Sequence, residues 1–188
     1  MKIMGSLHIL WWIGKMGRGR WIKEDGQGRM QVARIRVELP EAFAFSTEIE
    51  VTIAYINYGG HLGNDSLLTI LQEARLRFLE SFGYSEKNVE GCGIIMTDAA
   101  IEYKAECFRG DRLRIQVAAT DPGGRGCDIC YLVQNLGTGK EAVRAKTGIL
   151  FFDYETRRPA HMPPGFRTRF FPAPVPASDA QGTRTVSV

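Results

Sequence analysis

No stretch of the chain approaches the roughly 18 consecutive apolar residues that a membrane-spanning helix needs. The short apolar run at residues 9–13 cannot serve as a signal-peptide core, and no small-residue cleavage site follows it. Cysteine is scarce as well, at four in 188 residues, which excludes a small disulfide-stapled fold. Cys127 and Cys130 form a C-x-x-C, but an offset of three along a strand sends two thiols to opposite faces. Cys92 and Cys107 stand apart from them. No metal centre is therefore expected, and the four thiols are read as reduced, in a cytoplasmic protein. The loop Gly123-Gly124-Arg125-Gly126 lacks the lysine and following helix of a phosphate-binding P-loop. It reads as a hairpin connection.

Charge of one sign is also missing. The net charge of +3 is a property of the ends. Residues 1–30 carry six basic and two acidic side chains, and residues 156–188 carry five arginines and one aspartate. The middle, 31–155, holds 13 basic and 18 acidic residues, a net −5. A domain that grips nucleic acid through its body shows the opposite sign. No nucleic-acid partner is expected.

What is present is patterned sequence between two unpatterned ends. Residues 1–29 hold six glycines and no sustained periodicity. They are expected to be a disordered extension, or to precede a natural start at Met30. Residues 158–188 are rich in proline and are expected to be a disordered tail. That leaves one domain over 30–157.

Within it, residues 31–37 and 48–56 alternate as half-buried strands do. The run Asn57-Tyr58-Gly59-Gly60-His61-Leu62-Gly63-Asn64 is loop chemistry. Asn64 or Asp65 suits a helix cap, and residues 65–82 follow helical spacing. Leu67, Leu71, Ala74, Phe78 and Phe82 make one apolar stripe, widened by Leu68, Ile70 and Leu79. Gly83 reads as the stop. Four strand candidates come next, at 94–106, 111–119, 128–136 and 141–153, separated by Gly, Pro and Asp turns. A helix with so wide a stripe needs a curved antiparallel sheet to wrap it. The fold class is α+β.

The segment NYGGHLGNDSLLTILQEARLRFLE (57–80) resembles the hotdog-fold thioesterases of the 4-hydroxybenzoyl-CoA and acyl-CoA thioesterase kind. Gly60-His61-Leu62-Gly63-Asn64 is similar to the family's loop at the start of its central helix, and Glu73-Ala74-Arg75 to an element two turns further on. Tyr103-Lys104-Ala105-Glu106 before Arg109-Gly110-Asp111-Arg112-Leu113 is similar to its strand–turn–strand. The resemblance covers about residues 31–155. It implies a hotdog fold, hydrolysis of an acyl-CoA thioester, and a homodimer or homotetramer. No cofactor is implied, because coenzyme A arrives as part of the substrate.

The chemistry this requires can be stated physically. A thioester carbonyl must be polarised, and a buried helix N-terminus offers free N–H groups. Such an oxyanion donor is worth roughly 3–4 kcal/mol. Amides around Gly60–Leu62, with Asn64 and Tyr55, are the candidates for holding the substrate. A carboxylate must then attack the carbonyl or direct a water. The family places an aspartate at the position of Tyr55 or Asn57, and this chain has neither. The replacement candidates are Asp65, otherwise a helix cap, and Glu73, otherwise an ion pair with Arg77. Asn57 and His61 would position the water or the loop. Lys104, Arg109, Arg112 and Arg125 are the candidate contacts for CoA phosphates. The missing aspartate also fits an acyl-CoA-binding protein without catalysis. A hydratase or dehydratase, using His61 with a carboxylate, is a third reading.

Overall fold

The computed structural model describes residues 22–24, 30–32 and 34–172. The chain divides into two units, residues 1–36 and 37–188. In the first, β1 (Ile22–Glu24) pairs antiparallel with β2 (Met30–Val32). The strand expected over 31–37 is thus confined to its first residues, and 34–40 has no regular structure. Alternation describes one face only; a strand also needs a neighbour to bond to. In the second unit the place beside β5 goes to a later segment.

That segment is β3 (Phe45–Glu50), followed by a 3-10 turn at Ile53–Tyr55. The strand expected at 48–56 therefore begins and ends earlier. Phe45, Thr47 and Ile49 turn inward and the residues between them face out. The central helix, α1 (Asn64–Ser81), then runs for 18 residues. Its N-cap is Gly63, with no side-chain capping bond, so neither Asn64 nor Asp65 is the cap. Leu67, Ile70, Leu71, Ala74, Phe78 and Leu79 are buried as the stripe requires. Each such large side chain contributes roughly 1.5–3 kcal/mol. Gly83, at φ +78°, receives the chain as it leaves the helix and donates to the Glu80 carbonyl.

The remaining strands are β4 (Gly93–Tyr103), β5 (Arg112–Thr120), β6 (Gly126–Asn135) and β7 (Glu141–Asp153). Only the last three form a meander. The sheet order is β3-β5-β6-β7-β4, with every pairing antiparallel. The chain must therefore cross from the β4 edge to β5, and residues 104–111 make that crossing. Leu113, Ile115, Val117, Ile129, Tyr131, Val133, Ala145, Ile149 and Phe151 face the helix as one core.

The domain does not stop at 157. A two-residue strand, β8 (Arg158–Pro159), pairs with the end of β7 and leads into α2 (Pro164–Phe170). Phe166 is fully buried, 5.1 Å from Phe151 by ring centroids, and Phe170 lies 5.2 Å from Phe78. The prolines of this segment set helix start and turns, while Met162, Phe166, Phe170 and Phe171 supply the apolar area that repays its ordering. The expected tail is corrected accordingly for 158–172. Residues 173–188 and most of 1–29 lie outside the described residues.

One other feature was not expected from pattern. Arg75 is buried on α1, with Nε donating to Glu86 Oε1 at 2.7 Å and Nη1 standing 3.5 Å from the Tyr131 hydroxyl. Tyr131 in turn meets Thr147 at 3.1 Å. The C-x-x-C pair behaves as its offset predicts. Cys127 joins the helix-facing core, while Cys130 is buried on the other face beside the Thr120 hydroxyl.

Candidate active site

The loop that opens α1 is built around its own polar groups. Asn57 Oδ1 accepts from the Gly59 N–H at 2.8 Å, and Gly60, at φ +82°, donates to the Asn57 carbonyl. The Asn57 amide nitrogen stands 3.5 Å from His61 Nδ1, which also lies 3.3 Å from the Leu62 carbonyl. On the other side of the ring, a methyl carbon placed on Gly59 would sit 2.8 Å from His61 Nε2. Both ring nitrogens are thus turned into the loop.

The crossing segment 104–111 passes directly beside this loop. The Leu62 N–H donates to the Cys107 carbonyl at 2.8 Å and pins the two together. Asp111 fixes the far end, accepting from the Phe108 N–H and from the Asn135 side chain. Between loop, helix start and crossing lies an open cavity of about 480 Å³. Leu62, Leu67, Ala105 and Val143 give it an apolar floor, and Asn57, His61, Asn64, Tyr103, Lys104, Glu106 and Cys107 supply the polar groups.

The backbone N–H inventory decides where a carbonyl oxygen would be held. The amides of Gly60, Leu62 and Gly63 donate to the carbonyls of Asn57, Cys107 and Tyr55. Gly60 and Leu62 therefore lack free donors for the oxyanion hole expected at Gly60–Leu62: Gly60 spends its N–H inside the loop, and Leu62 spends its own on the crossing segment. The first intrahelical bond of α1 is made by Leu67, which donates to the Gly63 carbonyl. Asn64, Asp65 and Ser66 thus offer the free first-turn donors of a helix, at its positive end. Asn64 lines the cavity.

Other expected site residues are dispersed. Tyr55 packs against the core from the 3-10 turn and does not line the cavity; its carbonyl holds Gly63. Asp65 is exposed in the first helical turn, with its carboxylate folded over Gly63 outside the cavity lining. Glu73 makes the surface ion pair with Arg77 at 2.7 Å, and Arg77 continues to Thr47 and the Glu48 carbonyl on β3. Arg112 pairs with Glu48, and Arg109 is exposed in the crossing. Arg125 is at the wrong end of the sheet. Its neighbour Gly126 pairs with Leu150, seven residues along β7 from the cavity residue Val143, or about 23 Å at strand rise. It cannot reach this cavity from its own chain.

Three polar cavity residues escaped sequence reasoning: Tyr103, Glu106 and Cys107. They belong to a strand end and a connection, and only the β4-to-β5 crossing brings them to the helix start. The Tyr103 hydroxyl donates to the Asn64 carbonyl at 3.2 Å, and burial together with the charge of Asp65 pushes its phenol up. Burial, then the charge of Asp111, pushes the Cys107 thiol up as well, so it stays protonated near neutral pH. Lys104 is paired with Glu102. Among the described residues no group of three or more His, Cys, Asp or Glu is placed to hold a metal.

The comparisons agree with this architecture. The profile of the thioesterase-like superfamily matches residues 51–170, from the end of β3 through α2. No curated protein sequence matches the chain significantly. Among solved structures, a 1,4-dihydroxy-2-naphthoyl-CoA thioesterase from Synechocystis is similar at TM-score 0.61 and 22% identity, over 67% of this chain and 94% of that one. A DHNA-CoA thioesterase from Staphylococcus aureus is similar at TM-score 0.57 and 22% identity, over 68% and 83%. A further Staphylococcus aureus protein, solved in complex with CoA, is similar at TM-score 0.61 and 17% identity, over 81% and 100%. At these identities the likeness is one of fold.

Proposed function

This chain belongs to the thioesterase-like superfamily, and from that premise we infer that it hydrolyses acyl-CoA thioesters to a free acid and CoA. The observation that carries the reading is the cavity at the start of α1, with the unspent helix N–H of Asn64 and an apolar floor of Leu62, Leu67 and Val143. A thioester carbonyl oxygen set against Asn64 gains charge in the transition state where the donors are already oriented. Leu67 and Val143 hold the acyl group away from water. Asn57 and His61 act by fixing the loop. Lys104 lines the cavity, and Arg109 is exposed on the same crossing segment; these are the cations of this chain that suit the CoA phosphates. Water and substrate suffice, and no cofactor is required.

The absence of an acid at Tyr55 and Asn57 favours a second reading, an acyl-CoA-binding protein without turnover. Thiol release from acetyl-, hexanoyl-, palmitoyl- and benzoyl-CoA, measured beside calorimetric binding of CoA, separates the two. Turnover of any ester establishes the enzyme, while binding without turnover establishes the binder.

We also propose a homodimer. Strand β4 ends the sheet order, and Met96 and Tyr103 on it are exposed, as is Leu68 on α1. An apolar sheet edge of this kind is normally covered. The four free cysteines suit a cytoplasmic setting. No helix among the described residues is long and apolar enough to cross a membrane.

A further inference from the structure

Hydrolysis at this cavity needs a base, and both expected carboxylates stand outside its lining. Among the residues that line it, Glu106 carries the one carboxylate. Apart from Asn64, the other polar side chains there are engaged or protonated. Asn57 and His61 bond within the loop, the Tyr103 hydroxyl bonds to the Asn64 carbonyl, and Lys104 is paired with Glu102. Cys107 is a buried thiol that burial keeps protonated. Glu106, by contrast, is exposed and makes no ion pair or side-chain hydrogen bond among the described residues. Its neighbour Cys107 is bonded through its carbonyl to Leu62, so the backbone beside Glu106 is fixed against the loop that opens α1.

We propose that Glu106 is the general base of thioester hydrolysis, replacing the aspartate absent from positions 55 and 57. The inference rests on the thioesterase reading above. In the step it performs, the Glu106 carboxylate takes a proton from water as the water oxygen bonds to the thioester carbonyl carbon. The carbonyl electron pair moves to oxygen and is held at the helix start. When the tetrahedral intermediate collapses, the C–S bond breaks, and the departing CoA sulfur takes the proton back from Glu106. The balance is one thioester and one water giving one acid and one thiol, with the carboxylate regenerated.

The position also explains why the acid need not lie on the strand before the helix. The loop and the crossing segment both line one cavity, so a carboxylate on either borders it. Here the loop side carries an amide, Asn57, and an imidazole, His61, tied to each other, and the crossing side carries the acid.

The test is steady-state hydrolysis of the same four CoA esters by the full chain as wild type, Glu106→Gln and Glu106→Asp, with calorimetric CoA binding for each. Glu106 is exposed, so the variants are expected to fold. On the best substrate, kcat of Glu106→Gln should fall about 10²–10⁴-fold. Its KM and CoA affinity should stay within about threefold, the signature of an interaction made in the transition state. Glu106→Asp should retain more turnover than Glu106→Gln. An active wild type with Glu106→Gln within about threefold in kcat overturns the role of Glu106 and leaves the thioesterase reading standing. A defect confined to KM overturns it too, making Glu106 a substrate contact. A wild type that binds CoA and turns over none of the esters overturns both.

Discussion

Gly59 and His61 are packed so closely that a methyl carbon on Gly59 would stand 2.8 Å from the ring nitrogen Nε2. The imidazole lies over the glycine and is held from its other side by Asn57. Gly59→Ala should therefore push the ring out and loosen the loop that carries Asn64 into the cavity. Displacement on this scale lowers turnover by about 10- to 100-fold. The loop is exposed, so the melting temperature should barely move. Kinetics beside a thermal melt checks both halves.

A second prediction concerns the buried cation. Arg75 is buried against Glu86 and the Tyr131–Thr147 hydroxyl pair. Removing Glu86 strands the Arg75 charge in the core, which costs about 3–5 kcal/mol. Glu86→Ala should lower the unfolding free energy, read from urea melts, by that order, and Arg75→Ala, which leaves the part-exposed Glu86 behind, by less. The double variant with apolar replacements of matching volume should recover part of the loss. A midpoint unchanged in either single variant would contradict the account.

The C-terminal segment supplies a third. Phe166 is fully buried among Phe151, Tyr84 and Phe170. Phe166→Ala should cost about 3–5 kcal/mol. A chain ending at residue 157 should lose cooperative unfolding, which a urea melt read by circular dichroism checks.

The fourth follows from a thiol. Burial, then the charge of Asp128, pushes Cys127 up to about 12 from an ordinary 9.0. The folded state thus holds the proton more tightly than the unfolded one. This contribution is whole below about pH 9 and is lost as the pH rises towards 12. It is on the order of 4 kcal/mol at full extent. Between pH 8 and pH 10.5, wild type should lose more stability than Cys127→Ala. Equal losses would show that the thiol is not shielded.

Much of this molecule is legible in the sequence because its signals are periodic. The stripe on α1 and the 13 residues of β7 follow directly from apolar spacing. The first strand of the sheet slips because alternation carries no information about partners, and β5 pairs with Phe45–Glu50. The helix at Pro164–Phe170 hides behind prolines, although Phe166 and Phe170 sit four apart as a buried helical face requires. The burial of Arg75 depends on Glu86, 11 residues on, being brought to it. In the site, Asn57, His61 and Asn64 announce themselves as loop and helix start. Glu106 does not, since its place beside them depends on where β4 pairs. Arg125 misleads for the same reason, as its chain neighbourhood is distant from the cavity.

The central claim, acyl-CoA hydrolysis in the cavity at the start of α1, is tested most directly by filling that cavity. Ala105 lines it, half-buried on the crossing segment. Thiol release from the acyl-CoA panel should be catalysed by wild type and abolished in Ala105→Trp, with CoA affinity weakened and the melting temperature preserved. Turnover that persists in the filled variant, or a wild type that releases no thiol from any ester, would contradict it.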